Sequence, residues 1–167
     1  MDLEAVRGTT DRMGVVIRDL DKEDREDVRS ALIACGAFNE EEIRTALEMF
    51  QLGIEGEYAL FGAVENGVVV GYTCLGRAPL TESTWYVYWI CVHPSAQRRG
   101  IGHALQLETE SFVRARGGKR VVLETSGRAD YRGTRRFYEK AGYVCVGRIP
   151  DFYRDSDDCL IYLKLLG

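Results

Sequence analysis

Between the apolar run Trp85–Val92 and an amphipathic stretch that begins near Gly102 lies Gln97-Arg98-Arg99-Gly100-Ile101-Gly102. Strand, glycine-containing basic loop, helix start is an arrangement that holds phosphate. The first N–H groups of a helix have no intrahelical partner, and the helix dipole adds positive potential where they point. Gly100 and Gly102 let the backbone approach an anion closely, and Arg98 and Arg99 supply charge. His103 falls in the first turn of that helix and joins the candidate phosphate ligands with Ile101. Two familiar phosphate loops do not fit. No Gly-Lys-Ser or Gly-Lys-Thr occurs, and Gly117-Gly118-Lys119-Arg120 follows a helix instead of preceding one. A dinucleotide fingerprint would need glycine at position 105, which is Leu105.

Further along stands Arg136-Phe137-Tyr138-Glu139-Lys140-Ala141-Gly142-Tyr143, after a strand-like Arg120–Thr125, and Val92-His93-Pro94 closes the apolar run before the loop. The loop resembles the pyrophosphate loop of the GNAT N-acetyltransferase superfamily, whose pattern is Q/R-x-x-G-x-G/A. The later segment is similar to that family's F/L-Y-x-x-x-G-F/Y helix, and Val92-His93-Pro94 to its V-x-P. The resemblance covers nearly the whole chain and is most specific from Trp85 to Tyr143. It implies a single-domain α/β fold, a mixed, mostly antiparallel sheet splayed at its centre with about four helices on its two faces. It also implies acetyl-CoA as acetyl donor, with no metal.

The residue pattern agrees with such an architecture. A strand is expected over Gly14–Asp19 and a helix opening at Asp21-Lys22-Glu23-Asp24, with Val28, Leu32 and Ile33 inward. Asn39 and Glu42 form a capping box for a second helix carrying Ile43, Ala46, Leu47 and Phe50. Tyr58–Val64 and Val68–Leu75 flank Glu65-Asn66-Gly67, a hairpin signal. A helix over about 102–116 ends at Gly117-Gly118, and strand 120–125 is followed by helix 131–141. Two closing strands are expected over Val144–Arg148 and Cys159–Lys164. Residues 1–13 are polar and unpatterned, so a mobile segment is expected there and one N-acetyltransferase domain over 14–167.

Composition narrows the function. The chain has 167 residues, 46% hydrophobic and 29% charged, the balance of one globular domain. Residues 97–148 carry 12 Lys and Arg against 5 Asp and Glu, a net of +7, while the remainder carries 10 against 21, a net of −11. One basic segment in an acidic chain suits a polyphosphate cofactor better than nucleic acid. No apolar run reaches the length of a membrane span, and Met1-Asp2-Leu3-Glu4 lacks a signal-peptide pattern, so neither membrane nor export is expected and a cytoplasmic location is. Five scattered cysteines without C-x-x-C read as reduced thiols.

By the resemblance, unpaired backbone N–H groups of Ile90, Cys91 and Val92 polarise the acetyl carbonyl, and Tyr138 protonates the departing thiolate. Two departures stand out. Many members carry a strand Glu near the positions of Tyr88 and Trp89, so the general base falls to Glu124, to His93 or to ordered water. Members often have Asn seven residues before the Tyr; here that residue is Tyr131, so the Asn role is not carried over, and Ser126 and Tyr131 are the candidate substitutes. For the acceptor, Tyr153, Asp157 and Asp158 in an acidic connection, with Trp89, could hold an ammonium group by charge and cation–π contact, unless that connection is simply a solvated turn. The reading is direct acetyl transfer to a primary amine of a small molecule in a ternary complex, with room for a homodimer. A route through Cys91 is less favourable, because its apolar strand disfavours thiolate. The alternatives are a protein N-terminal or lysine acetyltransferase, and a non-catalytic acyl-CoA sensor.

Overall fold

The computed structural model describes residues 9–10 and 14–167. Apart from Thr9–Thr10, which form a short strand, the expected mobile segment lies outside the described residues. The elements in order are β1 (Thr9–Thr10), β2 (Val15–Asp19), α1 (Arg25–Cys35), α2 (Glu40–Ile54), β3 (Ala59–Glu65), β4 (Val68–Arg77), β5 (Thr84–Val92), α3 (Ile101–Ala115), β6 (Arg120–Ser126), α4 (Arg132–Lys140), β7 (Val144–Arg154) and β8 (Asp157–Leu165). They fall into two compact units, Met1–Gly76 with Trp89–Thr109, and Arg77–Tyr88 with Glu110–Gly167.

In the first unit β2, β3 and β4 pair antiparallel. The β3–β4 turn holds Asn66 and Gly67 at φ 50° and 80°, the twist that a two-residue hairpin loop requires. Asn39 caps α2, its side chain accepting from Glu42 N while the Glu42 carboxylate accepts from Asn39 N. The entry to α1 differs from expectation. Lys22–Asp24 make a 3-10 turn in which Asp21 and Asp24 cap one another, and α1 starts after it at Arg25. Asp24 is also gripped by both terminal nitrogens of Arg18, at 2.7 and 2.8 Å. Val28, Leu32, Ala46, Leu47 and Phe50 pack with Leu60, Tyr72, Cys74 and Cys91 in one core. Ile33 does not join them: it is 48% exposed, because one position past Leu32 turns it about 100° away from the buried stripe.

In the second unit β5 pairs parallel to β6 over Thr84–Val87 and Arg120–Leu123, and the ladder ends there although both strands run on. β6 pairs antiparallel with β8, and β8 with β7. The result is the expected mixed, mostly antiparallel α/β architecture. Trp85 packs edge-on to Phe112 of α3, ring centroids 5.6 Å apart, and the bare Gly118 leaves room for it. The closing strands are longer than the pattern suggests. β7 continues to Arg154 and β8 starts at Asp157, so the acidic connection is mostly strand. A register shift between Ile149 and Arg154, with Asp151 at φ 51°, breaks the alternation that would have shown it.

Candidate active site

The end of β5 shapes the loop that follows. His93 N donates to Val70 O at 2.7 Å, and the His93 ring accepts from Ser95 N at 3.2 Å, capping the short turn Pro94–Ala96. His93 thus has a structural task. Gln97 Nε2 donates to Val92 O at 3.0 Å, tying the loop back to the strand. Arg98 and Gly100 then take left-handed backbone angles, φ 58° and 80°. Alternating hands of backbone turn successive N–H groups toward one side, a concave anion cradle. The bond that begins the helix, Ala104 N to Gly100 O at 2.9 Å, leaves the N–H groups of Ile101, Gly102 and His103 ahead of it. A Cβ on Gly100 would meet nothing within 4 Å, so the space over the loop is open.

The two arginines part company here. Arg98 is exposed. Arg99 grips Glu65 at the end of β3 with both nitrogens, Nη1 to Oε2 at 3.1 Å and Nη2 to Oε1. This pairing holds the Glu65 carboxyl below its ordinary range and the Arg99 guanidinium above its own. Nothing in the sequence marks Glu65, which reads as part of a hairpin turn. Its role is to brace the loop.

Of the β5 residues expected at the acetyl group, Cys91 is buried and Ile90 and Val92 are half-buried. Trp89 is a packing residue: its indole N–H donates to Met49 Sδ at 3.2 Å, and its ring lies edge-on to Phe38 at 5.3 Å.

In the second unit Tyr138 is 5% exposed, its ring among Phe137, Tyr143 and Tyr162 with centroids 5.4, 6.0 and 6.0 Å away. Its hydroxyl makes no hydrogen bond among the described residues. Burial pushes the phenol well up, so it keeps its proton at neutral pH. Glu124 stands exposed on β6 and accepts from the Tyr86 hydroxyl. Burial first, and Glu124 second, raise the Tyr86 phenol. The Tyr86 and Tyr88 rings tilt together at 5.1 Å. Tyr153 is 44% exposed and its hydroxyl lies 3.8 Å from Cys159 Sγ. Burial again raises this phenol.

Asp157 and Asp158 are not the open acidic turn that the sequence suggested. Asp157 is 3% exposed and accepts from Ser126 Oγ and from Arg154 Nε at 3.3 Å. Asp158 accepts from Asp151 N at 3.0 Å and pairs with Arg148; the backbone bond, above all, holds its carboxyl low. Both carboxylates fasten the β7–β8 hairpin, because strands that run to its tip bring their donors alongside. Ser126 is committed too, since its hydroxyl also accepts from Arg128 N at 3.1 Å. Arg135, unmarked by the sequence, closes this corner with Nη1 on Ser126 O at 2.8 Å and Arg128 O at 2.7 Å. Tyr131 precedes α4 and takes the capping position without a side-chain cap bond. Among the described residues no three His, Cys, Asp or Glu side chains are gathered to hold a metal, and no helix is long and apolar enough to cross a membrane.

Comparison with known proteins agrees with this geometry. The Acetyltransferase (GNAT) family model matches residues 18–143. N-alpha-acetyltransferase RimI of Mycobacterium tuberculosis is 40% identical over 98 residues, 57% of this chain and 58% of that protein, so the match spans little more than half of the relative. A GNAT-family protein from Desulfovibrio desulfuricans superposes with a TM-score of 0.88 at 36% identity, over 92% of this chain and 99% of that one. An aminoglycoside 6'-N-acetyltransferase complexed with coenzyme A shares the fold at a TM-score of 0.71 and 21% identity, over 89% and 96% of the two chains. The chain belongs to the GNAT family of acetyltransferases.

Proposed function

We propose that the protein moves an acetyl group from acetyl-CoA to a primary amine by direct attack in a ternary complex, in the cytoplasm. The observation that carries this reading is the loop at the start of α3: left-handed Arg98 and Gly100, open space above Gly100, and three N–H groups ahead of the helix's first bond. These residues fit a pyrophosphate. Arg98 adds charge, and Glu65 keeps Arg99 from leaving the loop. When bound, acetyl-CoA supplies an activated thioester carbonyl.

The chain's own groups do the rest. Backbone N–H groups of Ile90–Val92 orient the carbonyl. Glu124 Oε takes a proton from the acceptor amine, with Tyr86 fixing its carboxylate. Tyr138 Oη, buried and protonated, gives a proton to the sulfur as the thioester opens. That donor weighs against a sensor without catalysis. The test is coenzyme A titration of wild type and Gly100→Asp, followed by thiol release from acetyl-CoA with an amine panel. Release above the buffer rate, together with binding lost in Gly100→Asp, supports the reading. Unchanged binding by a folded Gly100→Asp protein overturns it.

A small-molecule amine is the first reading of the acceptor. The 40% identity with an N-alpha-acetyltransferase favours a second, the α-amine of a protein N-terminus. Panels of short peptides with free and blocked N-termini, beside diamines and amino sugars, separate the two.

A further inference from the structure

Cys35 ends α1 and Cys91 lies one residue before the end of β5, both in the first unit. The Cys35 thiol donates to Val92 O at 3.3 Å, across 57 residues of sequence, and is hydrogen-bonded to the Cys91 thiol. Cys35 packs against the core that contains Cys91. Their surroundings differ. Cys91 is 6% exposed and buried beneath the helices, while Cys35 is half-buried and within reach of solvent. The hydrogen bond from Cys91 lowers the Cys35 thiol against the opposing effect of burial, and Cys91 moves up in return. An accessible thiol that ionises readily beside a buried one that stays protonated is the pairing stepwise oxidation needs.

We propose that Cys35 and Cys91 form an oxidisable dithiol site, closed to a disulfide by a hydroperoxide, and that closure loosens the phosphate loop. The Cys35 thiolate attacks a peroxide oxygen; the O–O bond breaks, hydroxide or alkoxide leaves, and Cys35 becomes a sulfenic acid. The Cys91 sulfur then attacks the Cys35 sulfur, losing its proton, and the sulfenic oxygen departs as water. In sum two thiols are oxidised by two electrons and one hydroperoxide is reduced to water and an alcohol or a second water. Cys35 Sγ lies 3.3 Å from the carbonyl of the residue that follows Cys91, and movement at the last turn of α1 brings the two sulfurs to about 2.05 Å, the length of a disulfide bond.

The consequence runs through Val92. Its carbonyl accepts from Cys35 Sγ and from Gln97, the residue that opens the phosphate loop. A disulfide pulls on Cys91, the residue beside Val92, and so displaces the carbonyl that Gln97 holds; that displacement weakens the Gln97 bond. Losing a hydrogen bond of ordinary strength corresponds to about a fivefold weaker hold on coenzyme A. This second half rests on the function proposed above; the first does not.

The test uses the full chain carrying Cys145→Ser, which removes the exposed thiol. After hydrogen peroxide and alkylation, peptide mapping should find Cys35 joined to Cys91, two hydrogens lighter and reversed by dithiothreitol. Cys35→Ser should abolish the joined peptide. Recovery of both residues alkylated, or of Cys35 as sulfinic acid with Cys91 alkylated, overturns the site. Calorimetry with coenzyme A before and after oxidation reads the coupling: about fivefold weaker binding, restored by reductant, supports it, and equal affinity overturns it. Reduced protein that binds no coenzyme A would overturn the proposed function and the coupling while the peptide map still decides the dithiol site.

Discussion

Arg98 and Arg99 are neighbours with different employment. Arg99 is held by Glu65 inside the first unit, while Arg98 is exposed beside the open cradle. Arg98→Ala should therefore weaken coenzyme A binding directly, by roughly tenfold for one charge-assisted hydrogen bond, and the loss should shrink as salt rises. Calorimetry at two ionic strengths checks this; equal losses would place Arg98 away from the phosphates. Tyr138→Phe deletes a hydroxyl that bonds to nothing among the described residues, so stability and cofactor affinity should hold while kcat falls about 10²–10⁴-fold, the usual worth of a general acid. A kcat within threefold of wild type would make Tyr138 a packing residue. Glu124→Gln should lower kcat about 10²–10⁴-fold, the usual worth of a general base, and Tyr86→Phe should lower it by less, both leaving the acetyl-CoA KM alone. A wild-type kcat in both variants points to deprotonation through water. The motif residues were legible because glycine spacing and the Phe-Tyr pair are local features. Glu65, Tyr86, Arg135 and Cys35 were not, since each acts through a partner that only pairing of distant segments supplies.

Among the elements, those written in local chemistry were read well. The Asn39 capping box and the Asn66-Gly67 turn appear where the sequence puts them. Asn39→Ala should cost about 1 kcal/mol, as loss of a helix cap does, measured by urea unfolding; a change below about 0.3 kcal/mol would mean the first turn of α2 is held by tertiary packing instead. The entry to α1 was harder, because Asp24 serves both the turn and Arg18. Burial works against its ionisation, yet the hydrogen bonds from Arg18 and Asp21 N outweigh it and its folded-state pKa lies below the ordinary 3.8. A carboxyl depressed on folding contributes stability above its unfolded value, and that contribution is lost as pH falls through the folded one. Asp24→Asn should thus destabilise by about 1.5–3 kcal/mol at pH 7, toward the lower end because Arg18 is about one third exposed, and by much less once the pH has fallen through the folded-state pKa of Asp24. Equal losses at both pH values would show that packing, not charge, holds the corner. The β7–β8 hairpin was misjudged for a related reason. Its irregular register and left-handed Asp151 look like loop chemistry, and the strand character of 149–154 is set by β8 alongside.

For the chain as a whole, the charge asymmetry overstates how much charge is free for a ligand. Several cations of segment 97–148 are already matched: Arg99 by Glu65, Arg114 by Glu110, Arg128 by Asp130 and Arg148 by Asp158. Lys164 likewise serves the buried Glu110, at 2.7 Å, and the carbonyl closing α4, Ala141 O, at 2.6 Å. Net charge counts such groups as available for a ligand when they are fasteners. The acidic hairpin carried the same error with the opposite sign. The fold class survived because it rests on periodicity and order of elements, which internal pairing does not alter.

The grip of Arg99 on Glu65 also has a practical side. An Asn-Gly hairpin tip is where a protein engineer would first insert an epitope tag or a fluorophore site, because such tips tolerate added sequence. Here the residue just before the tip is the anchor of the loop proposed to hold the cofactor. A tag spliced between Asn66 and Gly67 would leave a well-folded protein with a slack cradle. The label would report on the very property it had damaged.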